Sequence, residues 1–187
     1  MNINIFGSTG IIGSKSLEII DKNFKEIKIN LLTANNNYKK LIKQINIYKP
    51  KYVYIKNNSH YKIIKSQINN KTKILNDSEI FEYLKKSKSK FTILAISGYE
   101  SLYFFNSIIM NTKNLGLVNK ECIVSAGHLF KKIFNQSDVR IFPLDSEHFS
   151  LNKYFLNDNI ISYSKIYITA SGGPFLNKTW NYIKNAN

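Results

Sequence analysis

Over its first 143 residues the sequence alternates short β-rich runs with helix-compatible segments, and this alternation restricts the fold more than any other feature of the chain. The β-rich runs are residues 2–6, 27–33, 52–55, 74–75, 91–96, 115–118 and 141–142. Helical segments are expected at 14–20, 38–48, 60–69, 78–86, 99–111 and 123–134. Within 38–48, Leu41, Ile42, Ile45 and Tyr48 recur at helical spacing, and Pro50 ends the segment. Asp77 or Ser78 is the expected N-cap of the 78–86 segment. Strand and helix in strict succession imply a parallel sheet covered on both faces, and right-handed crossovers make a doubly wound α/β sheet the economical topology. A further strand is expected at 165–169, running into Ser171-Gly172-Gly173-Pro174.

Composition narrows the class. The 187 residues carry a formal net charge of +15, which alone would suit a nucleic-acid partner. Of the 27 basic residues, however, Arg140 is the sole arginine, and the lysines are scattered among Asn and Ile rather than gathered into a stripe. Base reading and bidentate phosphate contacts favour the arginine fork, so the charge reads as a lysine-coated surface and no nucleic-acid partner is expected. A nucleic-acid module would show steep salt-dependent binding. Cys122 is the single cysteine, which excludes an intramolecular disulfide and makes a reducing compartment the default. No apolar run reaches the roughly 18 residues that span a bilayer, so no membrane partner is expected.

The first strand passes directly into Gly7-Ser8-Thr9-Gly10-Ile11-Ile12-Gly13 and then a helix. In a doubly wound sheet this turn is the usual phosphate cradle: Gly7 suits the tight turn, Gly10 admits a pyrophosphate, and Gly13 lets the helix pack closely. The spacing differs by one residue from the dinucleotide fingerprint, so an ordinary glycine-rich turn stays open as an alternative. At the end of the second strand, an NAD-binding unit usually places a carboxylate for the ribose 2′-hydroxyl. Here Ala34-Asn35-Asn36-Asn37 fill that position, with Lys39 and Lys40 beyond. Amides and ammonium groups would attract a 2′-phosphate, which favours NADP over NAD; the alternative is that the asparagines merely make a turn.

Asp145-Ser146-Glu147-His148 follows the run at 141–142. In extended geometry Asp145 and Glu147 would share one side and converge on a hard divalent cation, Mg²⁺ or Mn²⁺, with His148 on the other side. A lone D-x-E is weak by itself, but its surroundings are specific. The Gly7–Gly13 block, Val118-Asn119-Lys120-Glu121-Cys122-Ile123-Val124-Ser125-Ala126-Gly127, Phe142-Pro143-Leu144-Asp145-Ser146-Glu147-His148 and Ile168-Thr169-Ala170-Ser171-Gly172-Gly173-Pro174-Phe175 occur in this order and spacing. Together they closely resemble the 1-deoxy-D-xylulose 5-phosphate reductoisomerase family, over nearly the whole chain.

The resemblance implies NADPH-dependent rearrangement and reduction of 1-deoxy-D-xylulose 5-phosphate to 2-C-methyl-D-erythritol 4-phosphate in the non-mevalonate isoprenoid pathway. It implies a Rossmann-type NADPH domain over 1–143 and the start of a metal-binding α/β catalytic domain over 144–187. Carried over residue by residue, cofactor contacts fall on Thr9, Gly10, Ile11, Ile12, Asn35, Asn36, Asn37, Asn119 and Glu121. Lys120, Ser146, Glu147 and Ser171 become substrate contacts, Asp145 and Glu147 metal ligands, and Lys120, Asp145 and Glu147 the catalytic set. The implied partner is a small sugar phosphate and the implied compartment bacterial cytoplasm or plastid stroma. The family is homodimeric; its dimer contacts lie largely beyond these residues, so dimerisation of this chain stays open.

Two departures are local: Phe149 stands where the family has a small polar residue, and Val118 replaces a usual alanine. Others are large. The family's mobile lid, third metal carboxylate, remaining phosphate-site residues and C-terminal helical domain are not found in this sequence, and Trp180 follows the Ser-Gly-Gly-Pro-Phe block too closely to stand in for the lid. The expectation is an N-terminal portion with an incomplete active site, its own turnover left open. The alternatives are another NADP-dependent Rossmann-fold oxidoreductase, or a cofactor-binding fragment without turnover.

Overall fold

The computed structural model describes residues 1–69, 71–135, 137–155, 167 and 173–186. They fall into two compact units, Met1–Tyr154 and Phe155–Asn187. In the first, the elements alternate as β1 (Asn2–Phe6), α1 (Ile11–Asn23), β2 (Lys28–Ala34), α2 (Tyr38–Tyr48), β3 (Tyr52–Ile55), α3 (Tyr61–Gln67) and β4 (Lys73–Leu75). They continue with α4 (Asp77–Lys86), β5 (Phe91–Leu94), α5 (Leu102–Ile109), β6 (Asn114–Leu117), α6 (Lys120–Asn135), β7 (Arg140–Pro143) and α7 (Ser146–Phe155). The second unit contributes α8 (Trp180–Lys184), which starts from a Thr179 N-cap. The strand expected at 165–169 falls outside the described residues apart from Tyr167, as does Ser171.

The seven strands among the described residues pair in parallel in the order β4-β3-β2-β1-β5-β6-β7. The chain adds strands outward from β1 on one side, then returns to start again at β5 on the other. The carboxyl ends of β1 and β5 therefore border the crevice where connections diverge to opposite faces, the place where such sheets bind ligands. Strand alternation accounts for the two-sided core. Ile3 and Ile5 of β1 pack with Leu17, Leu41 and Ile45 on the α1–α2–α3 face. Phe6 of the same strand packs with Leu84, Phe104, Phe105 and Ile108 on the α4–α5–α6 face.

Helix boundaries show where local chemistry overrides periodicity. The cap of α4 is Asn76, not Asp77 or Ser78: its side chain accepts from Glu79 N at 2.9 Å, and Glu79 Oε2 accepts from Asn76 N at 3.0 Å. This reciprocal capping box satisfies two otherwise orphaned donors, which selects Asn76 over its neighbours. Helix α6 starts at Lys120, earlier than the apolar pattern suggests, and contains a break at Ala126 (φ −138°, ψ 21°). Helix α1 begins at Ile11, directly out of the glycine turn.

That turn is sterically exacting. A Cβ on Gly13 would run into the Gly7 carbonyl and the Ser8 Cα, both backbone atoms with no freedom to swing away. Gly13→Ala is therefore expected to destabilise the unit by about 1–3 kcal/mol, as overpacking does, measured by urea denaturation; an unchanged midpoint would contradict the packing described.

Candidate functional site

The site begins with Gly7. Its φ of +77° is left-handed, and a Cβ there would collide with the Ala95 carbonyl at the end of β5. Only glycine lets the chain leave β1 and pass this close to the neighbouring strand. Gly10 N donates back to Gly7 O at 3.1 Å, and Ser8 N donates to Thr33 O at 2.9 Å, which ties the turn to β2. Gly10 is the N-cap of α1 and supplies no side-chain acceptor, and no acidic residue lies in the first turn. The early N–H groups of α1 are thus left for an anion, with the helix dipole favouring it. Ile11 is 87% exposed and Ile12 42%.

A crevice of about 270 Å³ opens at this turn, lined by Thr9, Gly10, Asn35, Lys56, Ser97 and Tyr103 among others. The three expected asparagines do different jobs around it. Asn35 lines the crevice. Asn36 Oδ1 accepts from Asn57 Nδ2 at 3.0 Å. Asn37 is the N-cap of α2, its side chain accepting from Lys40 N at 3.1 Å. Lys56, just past β3, lines the same crevice, its ammonium paired with Glu100 at 2.8 Å. Nothing in the sequence pattern singled out Lys56; only the pairing of β3 beside β2 places it here.

A second cavity of about 500 Å³ shares the Ala95-Ile96-Ser97 wall and is lined on its far side by Ile12, Asn119, Lys120, Glu121, Asp145, Ser146 and Glu147. Asn119 is buried. Its Nδ2 donates to Ile96 O at 2.8 Å and Ser101 Oγ at 3.1 Å, and its Oδ1 accepts from Glu121 N at 2.8 Å. The side chain therefore fixes the loop after β5 to the start of α6, and any contact with a cofactor would come from its backbone. Lys120 Nζ meets Glu147 Oε1 at 2.7 Å, and Ser146 Oγ donates to Glu147 Oε2 at 2.8 Å. The Lys120 bond, then the Ser146 hydroxyl, pull the Glu147 carboxyl down to about 2. The same carboxylate raises Lys120 above its ordinary value.

The expected extended geometry of Asp145-Ser146-Glu147 does not occur. Helix α7 starts at Ser146, and Asp145 sits just before it, its Oδ1 accepting from His148 N at 2.9 Å in the manner of an N-cap. Strand alternation therefore fails for His148, which turns towards Asp145 with Nδ1 2.8 Å from the same Oδ1. Capping competes with strand formation here because an aspartate followed by a serine and a glutamate suits a helix start. Among the described residues, no three His, Cys, Asp or Glu side chains are gathered so as to hold a metal ion.

Besides Lys56, periodicity alone missed Thr33 and Gln44. Gly7 N donates to Thr33 Oγ1 at 3.0 Å, and Gln44 bonds to Ser8. Gln44 had a readable signal, a polar residue on the apolar stripe of α2. The Lys120–Glu147 pair yields a test. A depressed carboxylate pKa means the pair is complete above the ordinary carboxylate range and is lost as pH falls through about 2. In the metal-free chain, ¹³C NMR should place the Glu147 midpoint near 2, returning toward 4.5 in Lys120→Met; a midpoint that ignores the substitution would show that the pair does not form.

Comparison with known proteins addresses the family. The family profile for 1-deoxy-D-xylulose 5-phosphate reductoisomerase matches residues 3–127, and that for the C-terminal domain of the same enzyme matches 141–187. A Pelagibacter ubique relative of that name is 39% identical over 186 residues, covering 98% of this chain and 48% of its own length. A Clostridium botulinum (strain Okra) relative is 35% identical, covering 95% and 47%. The Zymomonas mobilis enzyme in complex with NADPH superposes with a TM-score of 0.72 at 28% identity, over 79% of this chain and 39% of its own. A reductoisomerase structure with fosmidomycin and magnesium gives 0.78 at 26% identity, over all of this chain and 50% of its own. The chain spans about half the length of the curated relatives it matches. With its parallel sheet, glycine turn and Lys120–Glu147 cluster in place, the chain belongs to the 1-deoxy-D-xylulose 5-phosphate reductoisomerase family.

Proposed function

We propose that this chain supplies the cofactor crevice and the first metal and substrate residues of an NADPH-dependent reductoisomerase that converts 1-deoxy-D-xylulose 5-phosphate to 2-C-methyl-D-erythritol 4-phosphate. The observation that carries this reading is the wall common to the two cavities, Ala95-Ile96-Ser97. A dinucleotide anchored by its pyrophosphate at Gly7–Gly13 and extended along that wall reaches Lys120 and Glu147. The uncapped start of α1 and the glycine that tolerates no Cβ fit a pyrophosphate. Thr9, Gly10, Ile11 and Ile12 would hold it, with the Asn119–Glu121 segment toward the nicotinamide end.

NADPH rather than NADH is favoured by the lack of a carboxylate in Asn35-Asn36-Asn37 and by Lys56, a cation that lines the same crevice as Asn35. Asp145 and Glu147 offer hard oxygen ligands without thiolate, which suits Mg²⁺ or Mn²⁺. Such a cation, when bound, acts as a Lewis acid on the substrate's oxygens. Lys120 and Ser146 orient the substrate, and the Lys120 ammonium lies where oxyanion charge would develop. Ser171 belongs to the proposed phosphate contacts by its sequence block. Residues 1–143 form the proposed NADPH domain and 144–187 the start of the catalytic domain, a division supported by the second profile beginning at 141. The same family reading carries a bacterial cytoplasmic or plastid setting and leaves dimerisation of this chain open, the family being homodimeric; no helix among the described residues is long and apolar enough to cross a membrane.

The test is NADPH fluorescence titration of the chain, followed by NADPH oxidation with 1-deoxy-D-xylulose 5-phosphate and Mn²⁺. Saturable binding is expected, and its absence would overturn the reading; binding without metal-dependent oxidation would assign the chain a cofactor-binding role alone. Lys56→Glu should weaken NADPH binding about tenfold or more while leaving NADH nearly unchanged, since it replaces a cation beside the 2′-phosphate by an anion. Glu147→Gln should weaken Mn²⁺ binding, read by electron paramagnetic resonance, by about tenfold or more without changing NADPH affinity.

A further inference from the structure

Helix α2 buries Leu41, Ile42 and Ile45 against the sheet, and among them lies Gln44, only 5% exposed. A primary amide in an apolar layer is costly unless its donor and acceptor are both paired. Gln44 pairs both with one residue of the glycine turn. Its Nε2 donates to Ser8 O at 2.8 Å, and its Oε1 accepts from Ser8 Oγ at 2.8 Å. Ser8 is fully buried, so its hydroxyl faces the interior rather than the crevice. The Ser8 carbonyl also accepts from Ser14 Oγ at 3.0 Å, which links Gln44 through one oxygen to the first turns of α1. From the other side, Thr33 holds Gly7 N and Ser8 N.

We propose that Gln44 is a positioning residue for dinucleotide binding. It clamps the Ser8 peptide from below, so that the turn at Thr9-Gly10 and the free N–H groups of α1 keep their aim into the crevice without Gln44 touching the ligand. The inference rests on the cofactor reading above. Glutamine is specifically suited, because the clamp needs a donor and an acceptor on one planar group. Leucine fills similar space with neither. Glutamate can do both only when protonated; ionised, it sets a negative oxygen against the Ser8 carbonyl. Among the described residues, the groups hydrogen-bonded to this cluster from β2 and α1 are uncharged: the Thr33 hydroxyl and carbonyl and the Ser14 hydroxyl.

The experiment measures NADPH affinity of the full chain for wild type, Gln44→Leu and Gln44→Glu across pH 5 to 9, with backbone amide exchange at Ser8 in the absence of nucleotide. Gln44→Leu should raise the NADPH Kd about tenfold or more and speed Ser8 exchange by a similar factor. Gln44→Glu should approach wild-type affinity at the acidic end and lose it as pH rises, while wild type varies much less over that range. Because an ionised glutamate at this position would also destabilise the fold as pH rises, urea midpoints are measured at each pH: loss of affinity in chain that is still folded is expected, and a loss that merely tracks unfolding would overturn the positioning role. Should Gln44→Leu fail to fold, the Gln44→Glu series decides alone. Wild-type affinity at all pH values in Gln44→Glu would overturn the positioning role. Failure of wild type to bind NADPH would instead overturn the cofactor reading beneath it, and unchanged Ser8 exchange in the variants would then overturn the clamp as well.

Discussion

The close approach of Gly7 to the Ala95 carbonyl is the constraint on which the rest of the site depends. Two parallel strands, β1 and β5, lie side by side but send their connections to opposite faces, and the crevice between them exists only if the first connection leaves without obstructing the second. A side chain at position 7 would fill that gap, and one at position 13 would push α1 off the turn. With both absent, α1 starts at the crevice mouth with its donors unspent, and a 13-residue dipole points at whatever enters. In the proposed reading, phosphate affinity follows from backbone placement rather than from any charged side chain.

The far side of the crevice works differently. There the interaction is between side chains, Lys120 at the start of α6 against Glu147 at the start of α7, each brought in by the strand before it. Both are about half exposed, so water screens the pair and its contribution to folding is small. Its consequence is chemical. It holds an anion and a cation in contact at the cavity wall, with the Glu147 carboxyl lowered to about 2 and Lys120 raised above its ordinary value; in the proposed reading these are the groups offered to a metal ion and to an oxyanion. Asn119 contributes from below by joining the loop after β5 to the helix that carries Lys120.

Most of the fold was legible because its signals are local. Short β-branched runs and amphipathic segments of ordinary length place every strand of the first unit within a few residues, and the glycine spacing marks the turn. What was not legible depends on contacts between distant residues. Lys56 becomes a crevice residue only because β3 lies next to β2. Asn119 looks like a ligand contact in its motif, yet its amide is committed to carbonyls 21 and 23 residues away. The Asp145 pattern misled for a different reason: alternation presumes a strand, whereas the acidic start of Ser146–Phe155 favours a helix, which turns His148 back onto Asp145.

The central question is where a dinucleotide binds. Mapping amide ¹⁵N shifts of the chain during NADPH titration tests it most directly. The predicted result is perturbation concentrated at Thr9–Gly13, Asn35, Lys56 and Lys120–Glu121. Perturbation confined to the opposite end of the sheet, in the cavity lined by Lys25, Lys28 and Lys51, would contradict it.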